Sequence, residues 1–230
     1  MLEALAAEVA GAVYKAQQLA REQQQAWVTT AELQVAEAIG RHDDRDEMLV
    51  AVARLAPILA GVDLCGYLLW DENAQSYYGP ALVNAAGDEE ETFADLELAI
   101  GDWSALDAVH VGHEALSTAV VPAWLRRPRP GCLRLLPLLG GQGQTLGVMF
   151  VDLGFDATCP DGPSAGRTHH IAERLREELV QNIAHQSAQA LESAYLRTAQ
   201  QEEAWVNTAL LQVAEAVNSL TEDVYKRQEL

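Results

Sequence analysis

The stretch AWVTTAELQVAEAI, residues Ala26–Ile39, decides how this chain is organised because the chain contains it twice. It returns as AWVNTALLQVAEAV at Ala204–Val217, 178 positions later, with 11 of the 14 positions identical. Solenoid repeats have periods of roughly 20–50 residues, so a period of this length is that of a domain. The repeat therefore predicts tandem domains: the tail of one unit, one complete unit and the start of a third.

Composition and charge exclude several classes of protein. A chain of 230 residues with 49% apolar residues can bury a hydrophobic core. Its net charge of −19 argues against a surface that binds nucleic acid or an anionic membrane. No apolar run is long enough to span a bilayer, and the first residues, MLEALAAEVAG, lack the basic start of a secretory signal. We therefore expect a soluble, cytoplasmic protein.

The first 60 residues predict two helices. Residues 1–40 are rich in Ala, Gln, Glu and Leu and contain no Pro, which favours one long helix. Asp43 or Asp44 can cap a second helix that runs through Leu59, and Pro57 is expected to end or kink it. The repeated stretch carries an apolar stripe suited to packing against a partner helix. Its members are Val28, Ala31, Leu33 (or Glu32), Val35, Ala38 and Ile39.

After Gly61 the pattern changes to short apolar runs separated by turns, which predicts strands. Asp102 can cap a short helix, WSALDAVHV, that ends at Gly112. From about Arg167 to Asn218 there is no Gly or Pro, which predicts a long, uninterrupted helix. The predicted strands are Leu64–Trp70, Tyr77–Asn84, Leu96–Ile100, His113–Thr118, Cys132–Leu139 and Thr145–Leu153, and the predicted loops include Pro122–Pro130 and Phe155–Gly166.

The order and spacing of several segments together resemble a GAF domain. These segments are GVDLC at Gly61–Cys65, YLLWDE at Tyr67–Glu72, LLPL at Leu135–Leu138, GVMFVD at Gly147–Asp152 and IAHQSAQALESA at Ile183–Ala194. The resemblance covers roughly Thr29–Leu196 and implies an α+β fold. It also implies a central antiparallel sheet of about six strands, flanked by long N- and C-terminal helices, with a small-molecule pocket under the crossover helix.

Repeat and resemblance together divide the chain into three parts. Residues 1–24 are expected to be the helical tail of a preceding unit, residues 25–196 the GAF domain, and residues 197–230 a linker helix with the truncated start of a second unit. By the repeat, Val224–Leu230 should follow the pattern of Asp46–Val52, but VYKRQEL breaks it. This tail is interpreted as a truncation or an artefact of the sequence record.

The resemblance implies a sensor or regulatory module of a bacterial signalling protein. Such a module binds a small molecule or a partner and transmits a conformational change through dimerising helices to a downstream kinase or phosphatase domain. It implies a homodimer formed through the N- and C-terminal helices, no enzyme activity in this chain, and an unknown ligand. Two alternatives stay open: a ligand-free dimerisation or spacer module, and a thiol-dependent redox enzyme similar to methionine sulfoxide reductases.

The candidate ligand site lies on the first strand and the short helix. Alternation along a strand places Gly66, Leu68 and Trp70 on one face and Cys65, Tyr67 and Leu69 on the other. The resemblance assigns the first set to the ligand side, with a lid from the crossover helix. The predicted ligand-binding residues are Gly66, Leu68, Trp70, Trp103, Leu106 and His110. That these residues simply fill a core is an equal alternative.

Other residues that could carry chemistry have simpler interpretations. Cys65, Cys132 and Cys159 lack CxxC spacing, which argues against a disulfide framework or a structural zinc site. Cys65 and Cys132 fall in predicted strands and are interpreted as core residues, while Cys159, in a loop, is the candidate redox thiol. His110 and His113 lack a third metal ligand at a recognisable spacing. No catalytic or metal-binding residue is therefore predicted, and the signature of cyclic-nucleotide GAF domains is absent.

Overall fold

The computed structural model describes residues 2–84, 93, 96–125, 131–154 and 170–228. It confirms the predicted α+β class: long terminal helices flank an antiparallel sheet of six strands among the described residues. The elements in chain order are α1 (Leu2–Arg41), α2 (Arg45–Ala60), β1 (Leu64–Asp71), β2 (Ser76–Asn84), β3 (Glu97–Ala99), α3 (Ser104–Gly112), β4 (Leu116–Thr118), β5 (Leu133–Leu139), β6 (Thr145–Asp152) and α4 (His170–Gln228).

The two N-terminal helices form as predicted and pack against each other. Asp44 is the N-cap of α2, and its carboxylate accepts hydrogen bonds from the backbone N–H groups of Asp46 and Glu47. Pro57 does not end the helix, which continues to Ala60 before Gly61 turns into the left-handed region at φ 62°. Gly61 then donates its N–H to the Pro57 carbonyl, so the proline is accommodated within the last turns.

The repeated stretch in α1 packs with one face inward. Ala31 and Val35 are buried, whereas Leu33 is 67% exposed. The inward stripe therefore passes through Glu32, the other residue considered for that position. The Glu32 carboxylate accepts a hydrogen bond from Asn182 Nδ2 of α4 at 2.8 Å.

The sheet has the strand order β3-β2-β1-β6-β5-β4, and every neighbouring pair is antiparallel. Asp71 forms the β1–β2 turn by accepting from the backbone N–H groups of Asn73 and Ala74. In the β5–β6 turn Gly140 donates to the Gln144 carbonyl, and Gly143 adopts φ 81°, which favours glycine. Both predicted hairpins are thus present.

The capping residue predicted for α3 is wrong. Trp103, not Asp102, is the N-cap, and it makes no side-chain capping bond. The Asp102 carboxylate instead accepts from the Ala99 N–H at 2.8 Å, because the chain turns through Gly101 at φ 105° immediately after β3. Asp102 therefore stabilises the end of the strand, and the helix begins one residue later than that cap would place it.

The long C-terminal helix runs further than predicted. It extends to Gln228, so the broken apolar pattern of the last residues does not interrupt it. The chain divides into two compact units, Met1–Ala190 and Leu191–Leu230. The predicted loop at 155–166, which contains Cys159, and the arginines of 126–129 lie outside the described residues. Within the described residues no helix is long and apolar enough to cross a membrane.

Within the first unit, α4 contacts the sheet through an ion pair and a hydrogen bond. Arg134 of β5 pairs with Glu177 at 2.8 Å, and Tyr67 of β1 lies 2.9 Å from Ser187 Oγ. Ser187 itself donates to the Ile183 carbonyl, so the Tyr67 hydroxyl donates to Ser187. Burial raises the pKa of Tyr67 well above its ordinary value, which keeps that proton in place.

The buried Tyr67–Ser187 pair predicts unequal effects for its two deletions. Ser187→Ala leaves the Tyr67 hydroxyl buried without an acceptor, which should lower the free energy of unfolding by about 1–3 kcal/mol. Tyr67→Phe removes only the donor, and Ser187 keeps its bond to Ile183, so we expect a loss of about 1 kcal/mol or less. Urea denaturation followed by circular dichroism measures both. Equal losses in the two variants would contradict the assignment of Tyr67 as the donor. So would a Tyr67→Phe/Ser187→Ala double variant that is no more stable than Ser187→Ala.

Candidate functional site

The structure places all six predicted ligand-binding residues on the α3 side of the sheet. Leu68, Trp103 and Leu106 belong to one buried cluster, and Trp70 packs against it. His110 reaches the same region, since its ring lies 4.6 Å from that of Trp70. The alternation predicted for β1 is correct, because Tyr67 contacts Ser187 of α4 rather than this cluster. Ligand binding by these residues stays a prediction.

Four of the six residues are part of the packed core, including Trp103 of the buried cluster. Leu68 and Leu106 are fully buried. At Gly66 an added Cβ would collide with the Phe150 ring and would lie 2.9 Å from Leu82 Cδ1. The Phe150 ring therefore occupies the space that the glycine leaves. This centre of the sheet supports the interpretation that these positions fill a core.

Trp70, Tyr77 and His110 form an aromatic group at the edge of the cluster. The Trp70 and Tyr77 rings are 4.9 Å apart, and the Tyr77 hydroxyl lies 2.6 Å from His110 Nδ1. Burial, followed by the Asp107 charge, raises the pKa of Tyr77, so its hydroxyl stays protonated. Trp70 and His110 are partly exposed. This group therefore joins the buried cluster to solvent.

A second aromatic group lies deeper, between α3 and the turn at 122–125. The Trp103 and Trp124 rings meet edge to face at 5.7 Å, and Phe93 and Phe150 pack beside Trp124 at 5.6 and 5.8 Å. The Nε1 atoms of both tryptophans are buried and have no hydrogen-bond acceptor among the described residues. Buried indole N–H groups usually have a partner. Each ring of this edge-to-face pair therefore carries an unsatisfied donor.

Sequence reasoning missed Tyr77, Phe93, Trp124 and Phe150. A signal for Tyr77 was present, because the predicted hairpin already placed it opposite Trp70, and the two residues are register partners. Trp124 lies in a predicted loop where no periodicity indicates which way a side chain points. Phe93 and Phe150 join the group only through the tertiary fold.

The cysteines and histidines offer no competing site among the described residues. Cys65 is buried and free, and burial raises the pKa of its thiol, so it stays protonated and unreactive. Cys132 is also buried, but it is disulfide-bonded, which the sparse cysteine content did not predict. His113 is the C-cap of α3 at φ 55°. No group of three or more His, Cys, Asp and Glu side chains is arranged to hold a metal in the described part of the chain.

His110 predicts that acid weakens the fold. Its pKa is lowered from the ordinary 6.5, first by burial and then by His113, while Asp107 opposes the shift. The folded state therefore binds fewer protons than the unfolded state just below pH 6.5. The stability that neutral His110 contributes is full above that pH and is lost as the pH falls. Chemical denaturation from about pH 7.5 to about pH 5.5 should show a shallower loss for His110→Asn than for the native chain. If the two proteins lose unfolding free energy in parallel as the pH falls, the lowered pKa of His110 is contradicted.

These features define an α+β domain in which helices cover both faces of a six-stranded antiparallel sheet. The chain has the GAF fold. No protein-family model and no curated protein matches its sequence, but many solved structures share its architecture. The GAF domain of an Acinetobacter phosphoenolpyruvate-protein phosphotransferase is 14% identical, with a TM-score of 0.55 over 73% of this chain and 94% of that one.

Two further structures show how widely the fold is used. A putative GAF sensor protein from Burkholderia vietnamiensis is 13% identical, with a TM-score of 0.50 over 76% of this chain and 94% of its own. A free methionine-R-sulfoxide reductase from Neisseria meningitidis is 11% identical, with a TM-score of 0.50 over 74% of this chain and 91% of its own. At these identities the likeness is one of fold. The structures that share this fold include both a sensor and an enzyme.

Proposed function

We propose that this chain is a regulatory GAF module that binds a small molecule on the α3 side of its sheet and passes a conformational change to α4. The observation that carries the proposal is the pair of buried, unsatisfied indole donors, Trp103 Nε1 and Trp124 Nε1. Leaving a buried donor unpaired costs about 1–3 kcal/mol, which a ligand acceptor would recover. The ligand that suits this group is aromatic or apolar and carries a hydrogen-bond acceptor, such as a carboxylate.

The contacts between sheet and helix supply a route for the signal. β1 carries Leu68 on the ligand side and Tyr67 on the other, where its hydroxyl meets Ser187 of α4. A ligand that shifts β1 therefore changes a buried hydrogen bond to the helix. In this proposal the helix carries that change toward a kinase or phosphatase domain in a longer tandem protein.

The exposed apolar residues of the helices support dimerisation. Tyr14, Leu19 and Leu33 are exposed on α1, and Leu196 and Leu211 are exposed on α4. Large apolar side chains on long helices are typical of surfaces that pair with another helix. A homodimer formed through the terminal helices would cover them, and native mass spectrometry of the purified chain measures that state.

Tryptophan fluorescence tests the ligand site directly. Benzoate offers an acceptor, whereas benzylamine has a similar ring but only donors, so benzoate should bind and benzylamine should not. Trp103→Phe and Trp124→Phe each keep a ring and lose one donor, which should weaken benzoate binding by about tenfold. Trp205→Phe, an exposed position in the second unit, is the control. Equal binding of the two probes, or no effect of either substitution, would contradict the proposal.

A second candidate, the ligand-free spacer, is favoured by the packing at Gly66, where Phe150 fills the face of the sheet. It predicts that native mass spectrometry finds the dimer without a bound small molecule and that neither probe changes the fluorescence. The redox alternative has no described residue to support it, since the Cys65 thiol is buried and protonated. Absence of methionine sulfoxide reduction by the native chain supplied with a thiol reductant would dispose of it.

A further inference from the structure

His110 lies on the same face of α3 as Trp103 and Leu106, because positions 103, 106 and 110 follow the helical spacing. Seven positions (110 − 103) correspond to about 10 Å along the helix axis. Leu106 lies between the other two and is 1% exposed. His110 is therefore at the end of this face opposite to Trp103, whose indole N–H is unsatisfied.

An anionic group bound at the indole donors needs a cation to balance its charge. Moving a carboxylate out of water without an opposite charge is strongly unfavourable, and indole N–H groups carry no charge. The described part of residues 61–154 contains one Lys or Arg, Arg134, and it pairs with Glu177 of α4 on the other face of the sheet. Among the described residues of the α3 side, His110 is thus the one that can supply a positive charge near neutral pH.

The surroundings of His110 suit both of its protonation states. The Tyr77 hydroxyl, 2.6 Å from Nδ1, can donate to that nitrogen or accept from it. The Trp70 ring lies 4.6 Å away, a distance at which an aromatic ring stabilises a cation. Burial and then the neighbouring His113 lower the pKa of His110, whereas Asp107 raises it. His110 is therefore mainly neutral in the free protein near pH 7, and a nearby anion would favour its protonated form.

We infer that the ligand of this site is an aromatic acid that binds as its carboxylate, and that His110 takes up a proton from solvent as the ligand binds. The proton adds to a ring nitrogen of His110, and no bond of the ligand changes. The inference rests on the ligand site proposed above, and it adds the class of the ligand and the residue that balances its charge. Two unit charges about 10 Å apart, at an effective dielectric constant of about 20, change binding by about tenfold.

Isothermal titration calorimetry in buffers of different ionisation enthalpy measures the protons taken up as benzoate binds. Benzoate stays ionised above about pH 5.5, because carboxylic acids titrate near about pH 4. The native chain should take up a fraction of a proton just below pH 6.5. Its affinity for benzoate should rise by up to about tenfold between about pH 8 and about pH 5.5. Benzamide, a neutral ring with a carbonyl acceptor, should bind without proton uptake.

The same substitution at two histidines identifies the group that takes up the proton. His110→Asn should abolish the proton uptake and the dependence of benzoate affinity on pH. His185→Asn, at an exposed position of α4, should preserve both. Proton uptake that persists in His110→Asn overturns the inference, since the ligand would then bind as the neutral acid.

Two further outcomes separate this inference from the proposed site itself. Benzoate binding without proton uptake in the native chain, or binding of benzamide alone, overturns the inference and leaves the ligand site in place. The first of these results is expected if the arginines of 126–129 supply the balancing charge. If neither benzoate nor benzamide binds, both the inference and the proposed ligand site are wrong.

Discussion

Val35→Asp is expected to lower the free energy of unfolding of the first unit by at least about 3 kcal/mol at low protein concentration. Val35 is completely buried on the face of α1 that packs against α2. The substitution removes an apolar side chain worth about 1.5–3 kcal/mol and places an unpaired carboxylate in its position. Urea denaturation followed by far-ultraviolet circular dichroism measures the loss.

Val213→Asp is the matched control, because it makes the same chemical change at the equivalent position of the repeat. Val213 is exposed, so at low concentration the control should leave the unfolding of the first unit within about 0.5 kcal/mol of the native chain. Similar losses in the two variants would contradict the assignment of one docked and one solvent-facing copy.

This contrast shows what an internal repeat can and cannot predict. The repeat correctly predicted that Ala26–Ile39 packs as a helix, because its apolar spacing matches the helical period. Spacing alone left Leu33 and Glu32 as alternatives for one position. The structure selects Glu32 because Asn182, 150 residues further along the chain, supplies its hydrogen bond. No local pattern contains that partner.

The same limit explains which parts of the candidate site could be predicted. Alternation along β1 placed Gly66, Leu68 and Trp70 on the α3 side, since it depends only on the strand period. The prediction that Asp102 caps α3 was wrong. At such a junction the carboxylate can accept from a backbone N–H at the end of the strand or from one at the start of the helix. Here it accepts from Ala99 at the end of β3. Trp124 could not be assigned, because loop residues carry no period.

Gly147→Ala is expected to be as damaging as Val35→Asp, with a loss of about 3 kcal/mol or more, at the upper end of overpacking effects. Gly147 lies in β6, which pairs with β1 on one side and with β5 on the other. A Cβ there would lie 2.5 Å from the Leu68 carbonyl oxygen and 3.1 Å from Leu69 Cα. Both atoms belong to the backbone, so the clash can be relieved only by moving strands apart at the centre of the sheet.

Two other glycines show why the type of neighbour decides this result. At Gly66 an added Cβ meets the Phe150 and Leu82 side chains rather than backbone atoms, so Gly66→Ala should cost less than Gly147→Ala and should shift the tryptophan fluorescence of the α3 cluster. At Gly40, near the end of α1, nothing lies within 4 Å, and Gly40→Ala should be neutral or stabilise the helix by up to about 1 kcal/mol. Thermal and urea denaturation of the three variants should rank them Gly40, Gly66, Gly147 in increasing loss. If Gly147→Ala is tolerated as well as Gly66→Ala, then the sheet can widen at its centre, and contact with backbone rather than with side chains does not decide the cost.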